Sequence, residues 1–539
     1  MNVLAINRAN KNFSKFWKAT KALNYKDVLP VAVNDERDPG RIANMFASHF
    51  KIQPLEVEEV DDAGPTDSSG HSTVSQFSAN DIAKVVRNMK RGKSPGHDGL
   101  SVEHILYASE KVFAVLAGLF NLCLSRSYLP KELMKTVVTP IVKNKTGDLS
   151  DAGNYRPISV GTIIGKVFES LLQPELAKNL KLDDAQFGFR TGLSTDSAIL
   201  SLKYAVNYYV NRDTTVYACF LDLSRAFDLV NYSLLWKKMV RARIPNEITS
   251  IMRFWYENQN NCVRWGDTTS NNFRLDCGVR QGGLTSPDLF NLYINDLIEE
   301  LRSSRIGCHV GNVCINNLSY ADDMVLLSPS INGIRKLLSI CERYSKLHGL
   351  KYNIKKTELL VFRAGKGPEK VLPVYLYETP VRVVASFKYL GHVLTDRLTD
   401  DEDMERERRA LAIRCNMLAR RFAKCSKDVK ITLFRAFCQC FYTCPLWVKF
   451  TKRTFGVLRV QYNDAFRILM RHPRFCSAKG MFAEERVPDF FAIMRSRAAS
   501  FWTRLQNSSN TILKRVADDF DNVFIKHWSL MHRRGNGKV

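Results

Sequence analysis

The sequence of 539 residues lacks several features that would assign it to a common class of protein. The longest nearly apolar run, residues 112–124, is too short to span a bilayer, and residues 1–18 lack the apolar core of a signal peptide. The 13 cysteines follow no even spacing, and Cys438, Cys440 and Cys444 do not form the paired Cys-x-x-Cys units of a zinc site. We therefore expect free thiols and an intracellular protein without a membrane partner, in the nucleus or the cytoplasm.

Several catalytic signatures are also missing. The chain has no His-Glu-x-x-His and no Gly-x-Ser-x-Gly, and residues 161–167 are one residue short of a P-loop. Acidic residues are scarce relative to basic ones, with 54 Asp and Glu against 79 Lys and Arg, which gives a net charge of +25. Such an excess favours a polyanionic partner, with nucleic acid first and an anionic membrane second.

Composition and periodicity divide the chain into three parts. Residues 1–55 carry apolar side chains at helical spacing, and residues 54–78 are rich in Glu, Asp, Gly, Ser and Thr, so we assign 1–79 to a helical extension and linker. Residues 80–395 mix predicted helices and strands, beginning with a helix over 80–89 that Ser78 caps. Residues 396–539 are predicted to be helical, and from residue 401 onward they hold 28 basic and 13 acidic residues. The predicted fold class is α+β.

Two adjacent aspartates interrupt an apolar segment at residues 318–327. The pattern predicts a β-hairpin with Asp322 and Asp323 at its tight turn. Carboxylates placed side by side repel each other unless cations neutralise them, and oxygen ligands without nearby Cys or His favour Mg²⁺ over Zn²⁺. An ordinary solvated turn is the alternative, because Asp is a favoured turn residue.

A third carboxylate, Asp222, ends a predicted apolar strand over residues 216–222. Two metal ions held by Asp222 and Asp322, with Asp323 beside them, suit an in-line phosphoryl transfer. The backbone carbonyl of Leu223 is a candidate additional ligand. Separately, residues 90–99 form a turn with Gly and Pro that suits phosphate contact through three cations, Lys90, Arg91 and Lys93.

The order of motifs in residues 80–395 resembles that of the reverse transcriptases of non-LTR (LINE-type) retrotransposons. The blocks that carry this resemblance are residues 93–99 (KSPGHDG), 154–159 (NYRPIS), 186–190 (QFGFR), 220–228 (FLDLSRAFD), 278–283 (GVRQGG), 320–323 (YADD), 349–357 (GLKYNIKKT) and 387–391 (FKYLG). The resemblance implies a right-hand polymerase with fingers and palm in residues 80–395 and a basic, helical thumb and C-terminal region in 396–539. It implies that Asp222, Asp322 and Asp323 hold two Mg²⁺ ions, with Mn²⁺ as an alternative metal.

The same resemblance assigns residues around the incoming nucleotide. Phe227 matches an aromatic steric gate that excludes a ribose 2′-OH. Arg156 and Lys143 match cations that grip the triphosphate, and Gln281 is expected to lie against the nucleotide. The remaining assignments are Lys355 or Lys356 near the leaving pyrophosphate and Arg190 in contact with nucleic acid. The implied partners are an RNA template, a DNA primer and dNTPs.

The sequence also departs from the full-length proteins of this family. We find no N-terminal endonuclease and no C-terminal zinc knuckle, so target cleavage is expected to need a separate endonuclease chain, or the chain is a fragment. Three alternative functions stay open. They are a non-catalytic nucleic-acid-binding protein derived from such an element, an intron-encoded reverse transcriptase with maturase function, and a telomerase-like polymerase.

Overall fold

A five-stranded sheet brings the three aspartates together. The strand order is β13-β10-β3-β9-β8, formed by Arg382–Val384, Glu358–Phe362, Val216–Asp222, Asp323–Ser328 and Asn317–Tyr320. The apolar strand β3 is central and antiparallel to both β9 and β10. In this computed structural model, which describes residues 2–22, 29–55, 74–365, 367 and 370–533, the strands β8 and β9 form the predicted hairpin.

The other strands form one larger and three smaller sheets. A four-stranded sheet has the order β2-β1-β4-β5, in which β1 is antiparallel to β2 and parallel to β4. Three two-stranded sheets complete the β structure of the described residues, namely β6-β7, β11-β12 and β14-β15. The bounds of these strands are β1 Lys135–Val142, β2 Tyr155–Gly161, β4 Asn260–Trp265, β5 Thr268–Thr269, β6 His309–Val310, β7 Val313–Cys314, β11 Tyr375–Leu376, β12 Thr379–Pro380, β14 Ser386–Tyr389 and β15 His392–Thr395.

Helices make up most of the remaining structure, and residues 401–533 contain helices and no strand. In chain order the helices are α1 (Asn2–Ala9), α2 (Phe13–Ala22), α3 (Pro39–Phe50), α4 (Ala79–Asn88), α5 (Val102–Leu106), α6 (Lys111–Arg126), α7 (Lys131–Met134), α8 (Ile163–Asn179), α9 (Thr195–Val210), α10 (Tyr232–Arg241), α11 (Asn246–Asn258), α12 (Ser286–Ser303), α13 (Ile331–Leu347), α14 (Asp401–Arg421), α15 (Lys427–Cys438), α16 (Lys452–Met470), α17 (Ala478–Glu484), α18 (Phe490–Gln506), α19 (Thr511–Asp518) and α20 (Val523–Arg533). Ser78 caps α4 in a reciprocal capping box with Asp81, as predicted. No helix within the described ranges is long and apolar enough to cross a membrane.

Three hydrophobic cores hold these elements. The largest joins the five-stranded sheet to α9, α12 and α13 and also includes Phe501 and Trp528 from the C-terminal helices. A second core lies among α14–α18 and includes Leu4 and Phe16 of the N-terminal helices, and the third packs α3 on the four-stranded sheet. The N-terminal and C-terminal segments therefore each contribute to more than one core. The predicted boundaries at 79 and 395 stay a prediction, and residues 56–73 of the predicted linker lie outside the described residues.

A buried ion pair ties α9 to the segment that begins α14. Lys203 Nζ lies 2.5 Å from Asp400 Oδ1 and donates to the carbonyl of Leu446 at 2.7 Å. Asp400 Oδ2 accepts from the backbone N–H groups of Val448 and Lys449. Both side chains of the pair are nearly inaccessible to solvent, at 3% and 2% exposure. The pair therefore stabilises this joint only while both partners are present.

We expect Lys203→Met to lower the free energy of unfolding by about 3–5 kcal/mol, because it leaves the buried carboxylate of Asp400 without its cation. Urea denaturation followed by circular dichroism measures the change. The matched control is Lys178→Met, which removes an exposed pair with Glu175 and should cost no more than about 1 kcal/mol. Equal losses in the two variants would contradict this account of the joint.

Candidate active site

The three predicted acidic residues meet at one end of the five-stranded sheet. Asp222 is the last residue of β3 and is paired in register with Asp323, the first residue of β9. Asp322 lies in the two-residue turn between β8 and β9, where Ala321 adopts a left-handed conformation with φ +57°. A two-residue hairpin turn needs such backbone angles. Residues 100 positions apart in the chain are therefore neighbours.

The three carboxylates of this cluster place several negative charges close together. Burial raises the pKa of Asp322, and the charge of Asp222 raises it further, while Arg156 and Lys356 act in the opposite direction. The surrounding protein and the carboxylates of Asp322 and Asp222 raise the pKa of Asp323 to about 6, although part of its side chain is open to solvent. The charge of Asp222 thus makes Asp322 and Asp323 harder to ionise, and nearby cations relieve this repulsion.

One of the two predicted lysines contacts the aspartates. Lys356 Nζ lies 3.2 Å from Asp222 Oδ2 and 3.4 Å from Asp222 Oδ1. The loop that carries it is fixed to the end of β3, because Asn353 N–H donates to the carbonyl of Asp222 and Ser224 N–H donates to that of Lys351. Lys355 is exposed and lines a 430 Å³ cleft together with Lys356, Asp222 and Asp323, but it forms no ion pair with a carboxylate of the described residues. The geometry places Lys356 nearer to the acidic cluster.

The cluster suits a hard divalent cation by its chemistry. It offers carboxylate oxygens and no thiolate or imidazole, which is the donor set that Mg²⁺ and Mn²⁺ prefer. As the side chains stand, no group of three or more His, Cys, Asp or Glu residues in the described part of the chain is arranged to hold a metal ion. Asp222 is instead paired with Lys356.

Cations converge on this site from the four-stranded sheet. Arg156 on β2 is exposed and near enough to Asp322 to lower its pKa. Lys143 Nζ donates to the carbonyl of Gly153 at 2.9 Å, and the surrounding protein, Arg156 and Arg225 all lower the pKa of Lys143. Arg225, exposed with φ +52°, was not singled out from the sequence. Its position next to the strand end was the only signal that could have found it.

Gln281 lies at the joint between two motifs. Its Nε2 donates to Asp228 Oδ1 at 2.7 Å, and its carbonyl accepts from Ser159 N–H at 2.7 Å. Asp228 was not singled out from the sequence, and burial raises its pKa despite the bond from Gln281. The loop that carries Gln281 therefore joins β2 to the segment after β3.

Phe227 is half-buried beside this joint. Its ring stacks on Phe290 with centroids 4.6 Å apart, and the ring of Phe189 meets its edge at 6.2 Å. Phe189 was also missed as a site residue. It is 54% exposed with φ +58°, an unusual conformation for a bulky residue. The structure thus provides a small aromatic cluster next to the acidic residues.

A close backbone contact at Gly278 holds the same joint together. Gly278 has φ +93°, and a Cβ atom there would lie 2.8 Å from the carbonyl oxygen of Asp228. We expect Gly278→Ala to lower the free energy of unfolding by about 2–3 kcal/mol, through backbone strain and overpacking. Gly118→Ala is the matched control, because this helical glycine has open space and should gain up to about 1 kcal/mol. Equal effects in chemical denaturation would contradict the tight contact at Gly278.

The residues predicted to bind nucleic acid behave differently from one another. Lys90, Arg91 and Lys93 are exposed on the turn before α5, and Arg91 donates to the hydroxyl of Tyr107. Arg190 is partly buried and donates to the carbonyls of Asp183 and Gln186. The structure thus gives Arg190 a bracing role within its own loop, and its contact with nucleic acid stays a prediction.

Comparison with known proteins agrees with these observations. Residues 141–394 match the family described as "Reverse transcriptase (RNA-dependent DNA polymerase)". The "Probable RNA-directed DNA polymerase from transposon X-element" of Drosophila melanogaster is 22% identical, over 92% of this chain and 56% of that protein. The "RNA-directed DNA polymerase from mobile element jockey" of Drosophila funebris is 24% identical, over 81% of this chain and 48% of that protein. This chain thus spans about half the length of these two relatives.

A solved structure of apo telomerase from Candida tropicalis aligns with 79% of this chain and 71% of that one, at 11% identity and a TM-score of 0.40.

Residues 141–394 thus correspond to a reverse transcriptase domain. The chain is related to the RNA-directed DNA polymerases of non-LTR retrotransposons, as its motifs indicated. The predicted α+β fold class is confirmed by the mixture of helices and sheets, and the family match agrees with a polymerase of the right-hand type. Such enzymes use divalent metal ions in general.

Proposed function

We propose that this chain is an RNA-directed DNA polymerase that extends a primer 3′-OH with dNTPs on an RNA template. The observation that carries the proposal is the register of β3 and β9, which pairs Asp222 with Asp323 and places Asp322 in the adjoining turn. The relatives' description as RNA-directed DNA polymerases supports the choice of template and product.

The proposed cofactor is a pair of Mg²⁺ ions, with Mn²⁺ as a substitute. Asp222, Asp322 and the backbone carbonyl of Leu223 would hold them, with Asp323 beside them. Ions bound there supply activation of the attacking hydroxyl and neutralisation of charge on the triphosphate. Lys356, whose Nζ contacts Asp222 in the structure, is proposed to move away when the ions bind, because their charges repel its ammonium group.

The protein's own groups then bind and orient the nucleotide. Arg156 would bind phosphate oxygens through its planar guanidinium group. Lys143, in the connection between β1 and β2, would add a second positive charge. Lys356, the one of the two predicted lysines that contacts the acidic cluster, would donate a proton from Nζ to the leaving pyrophosphate. Phe227 would exclude a 2′-OH by its ring, and Gln281 would lie against the nucleotide while it bonds to Asp228.

The partners we propose are an RNA template, a DNA primer and dNTPs, together with a separate endonuclease that supplies the primer end. Lys90, Arg91 and Lys93 are proposed to contact backbone phosphates, as are the basic helices after residue 401. Contacts of this kind weaken as salt rises. The intracellular location stays a prediction, which follows from the irregular spacing of the 13 cysteines.

Primer extension tests this proposal. The chain is incubated with a labelled DNA primer annealed to RNA, with the four dNTPs and Mg²⁺, and a chelator serves as the control. We expect template-directed extension that the chelator abolishes. Binding of the primer–template without any incorporation would instead favour the non-catalytic alternative, against which the paired carboxylates argue.

A further inference from the structure

The turn that carries Asp322 is held from outside its own hairpin. Residues 185–188 run alongside β8, where Phe187 N–H donates to the carbonyl of Ser319 and Ser319 N–H donates to that of Ala185, each at 2.8 Å. These bonds make the segment a short parallel addition to the edge of the five-stranded sheet. These two hydrogen bonds therefore fix the segment to the hairpin.

Gln186 makes the contact that reaches the turn itself. Its side chain is fully buried, and Oε1 accepts from Ala321 N–H at 3.0 Å and from Gly188 N–H at 2.8 Å. Ala321 is the left-handed residue that immediately precedes Asp322. Within the described residues, Gln186 Nε2 has no hydrogen-bond partner, so the carbonyl end of the amide makes the contacts.

The close approach of this segment depends on a glycine and a buried amide. A Cβ atom at Gly188 would lie 2.3 Å from Ala321 N, which leaves room for no side chain. Asn291 on α12 donates from Nδ2 to the carbonyl of Gly188 at 2.9 Å. The segment is thus fixed between α12 and the turn, so it can hold Ala321 in one position.

We propose that Gln186 is a positioning residue, which sets the location of the Asp322 carboxylate by binding the Ala321 N–H group. This proposal rests on the proposed polymerase function for its effect on catalysis. Removing the acceptor leaves a buried N–H without a partner and frees the turn to shift. A shift of about 1 Å in a catalytic group can cost about 100-fold in rate.

The test compares Gln186→Met, which keeps the volume and removes the acceptor, with Gln186→Glu, whose buried carboxyl group is expected to stay protonated and keeps an oxygen that can accept both N–H bonds. We expect Gln186→Met to lower kcat by about tenfold or more and to raise the Mg²⁺ concentration for half-maximal rate, with KM for dNTP within about twofold. Gln186→Glu should recover most of the lost rate. Recovery by the conservative variant separates positioning from a general packing role.

The matched control is Gln259→Met, at a glutamine that is also buried and donates to the hydroxyl of Tyr232 at 2.9 Å. It should leave the Mg²⁺ dependence unchanged. If Gln186→Met kept the wild-type kcat and Mg²⁺ dependence, or if Gln259→Met changed them equally, the positioning role would be overturned.

Hydrogen exchange followed by mass spectrometry gives a second result that needs no activity. We expect faster exchange over residues 317–325 in Gln186→Met than in the wild type, Gln186→Glu or Gln259→Met. Equal exchange in all four proteins would overturn the contact as a constraint on the turn. If the wild-type chain extends no primer while this exchange pattern is found, the proposed function fails and the role of Gln186 in fixing the turn stands.

Discussion

Asp322→Asn will reduce RNA-templated DNA synthesis by about a thousandfold or more while the protein stays folded. The substitution keeps the shape of the side chain and removes the charge that a divalent ion requires, and each lost factor of ten in rate corresponds to about 1.4 kcal/mol. Burial and Asp222 already disfavour the ionised form of Asp322, so its neutral replacement should not lower the thermal unfolding temperature. Single-turnover incorporation and thermal denaturation measure the two effects.

Asp213→Asn is the matched control for this loss. Asp213 is an exposed residue with φ +54°, shortly before the start of β3, whereas Asp222 ends the same strand. Asparagine tolerates this left-handed conformation well, so the variant should keep its activity and its stability. Retained synthesis by Asp322→Asn, or equal loss in both variants, would remove the metal-binding role from the hairpin turn.

Phe227→Ala will raise incorporation of rNTPs relative to dNTPs by about 100-fold or more, because it removes a ring that is proposed to clash with the 2′-OH. The ring is held in place by its stack on Phe290, so its position is defined before a nucleotide binds. The measurement is the ratio of kcat/KM for the two nucleotides on one primer–template.

Phe189→Ala controls for the loss of aromatic packing at the same place, since Phe189 contacts the edge of Phe227. A lower overall rate of incorporation in either variant does not affect this test. The preference for dNTPs over rNTPs should change only in Phe227→Ala. An unchanged ratio in Phe227→Ala would assign this ring to packing, which is the ordinary role of a half-buried aromatic side chain.

The sequence predicted those features that depend on residues close to one another in the chain. The Ser78 cap, the apolar strand that ends at Asp222 and the Asp-Asp hairpin all depend on residues within a few positions of one another, and the structure has each of them. That Asp222 meets Asp323 was expected from the order of the motifs, and the register of β3 and β9 supplies the contact.

Contacts between distant segments were not predictable in this way. Gln186 binds Ala321, 135 positions away, and nothing near either residue identifies the other as a partner. Arg190 resembled a surface cation, but its loop turns the guanidinium toward its own carbonyls. Likewise, helical periodicity indicated the elements after residue 401, but it did not show that some of them pack on the sheet core and others form a separate core.

The choice between Lys355 and Lys356 also required the three-dimensional structure. Neighbouring residues in a turn point in different directions, and only the contact of Lys356 with Asp222 distinguishes them. This contact also marks the group that is proposed to move when a metal ion binds.

Anomalous scattering from Mn²⁺ tests the central claim most directly. The protein would be crystallised with an RNA template, a dideoxy-terminated DNA primer, the next dNTP and Mn²⁺. We predict Mn²⁺ peaks about 2.1–2.3 Å from carboxylate oxygens of both Asp222 and Asp322, with Lys356 Nζ displaced from Asp222. A nucleotide bound with no Mn²⁺ between these two aspartates, and with Lys356 still paired to Asp222, would contradict the account.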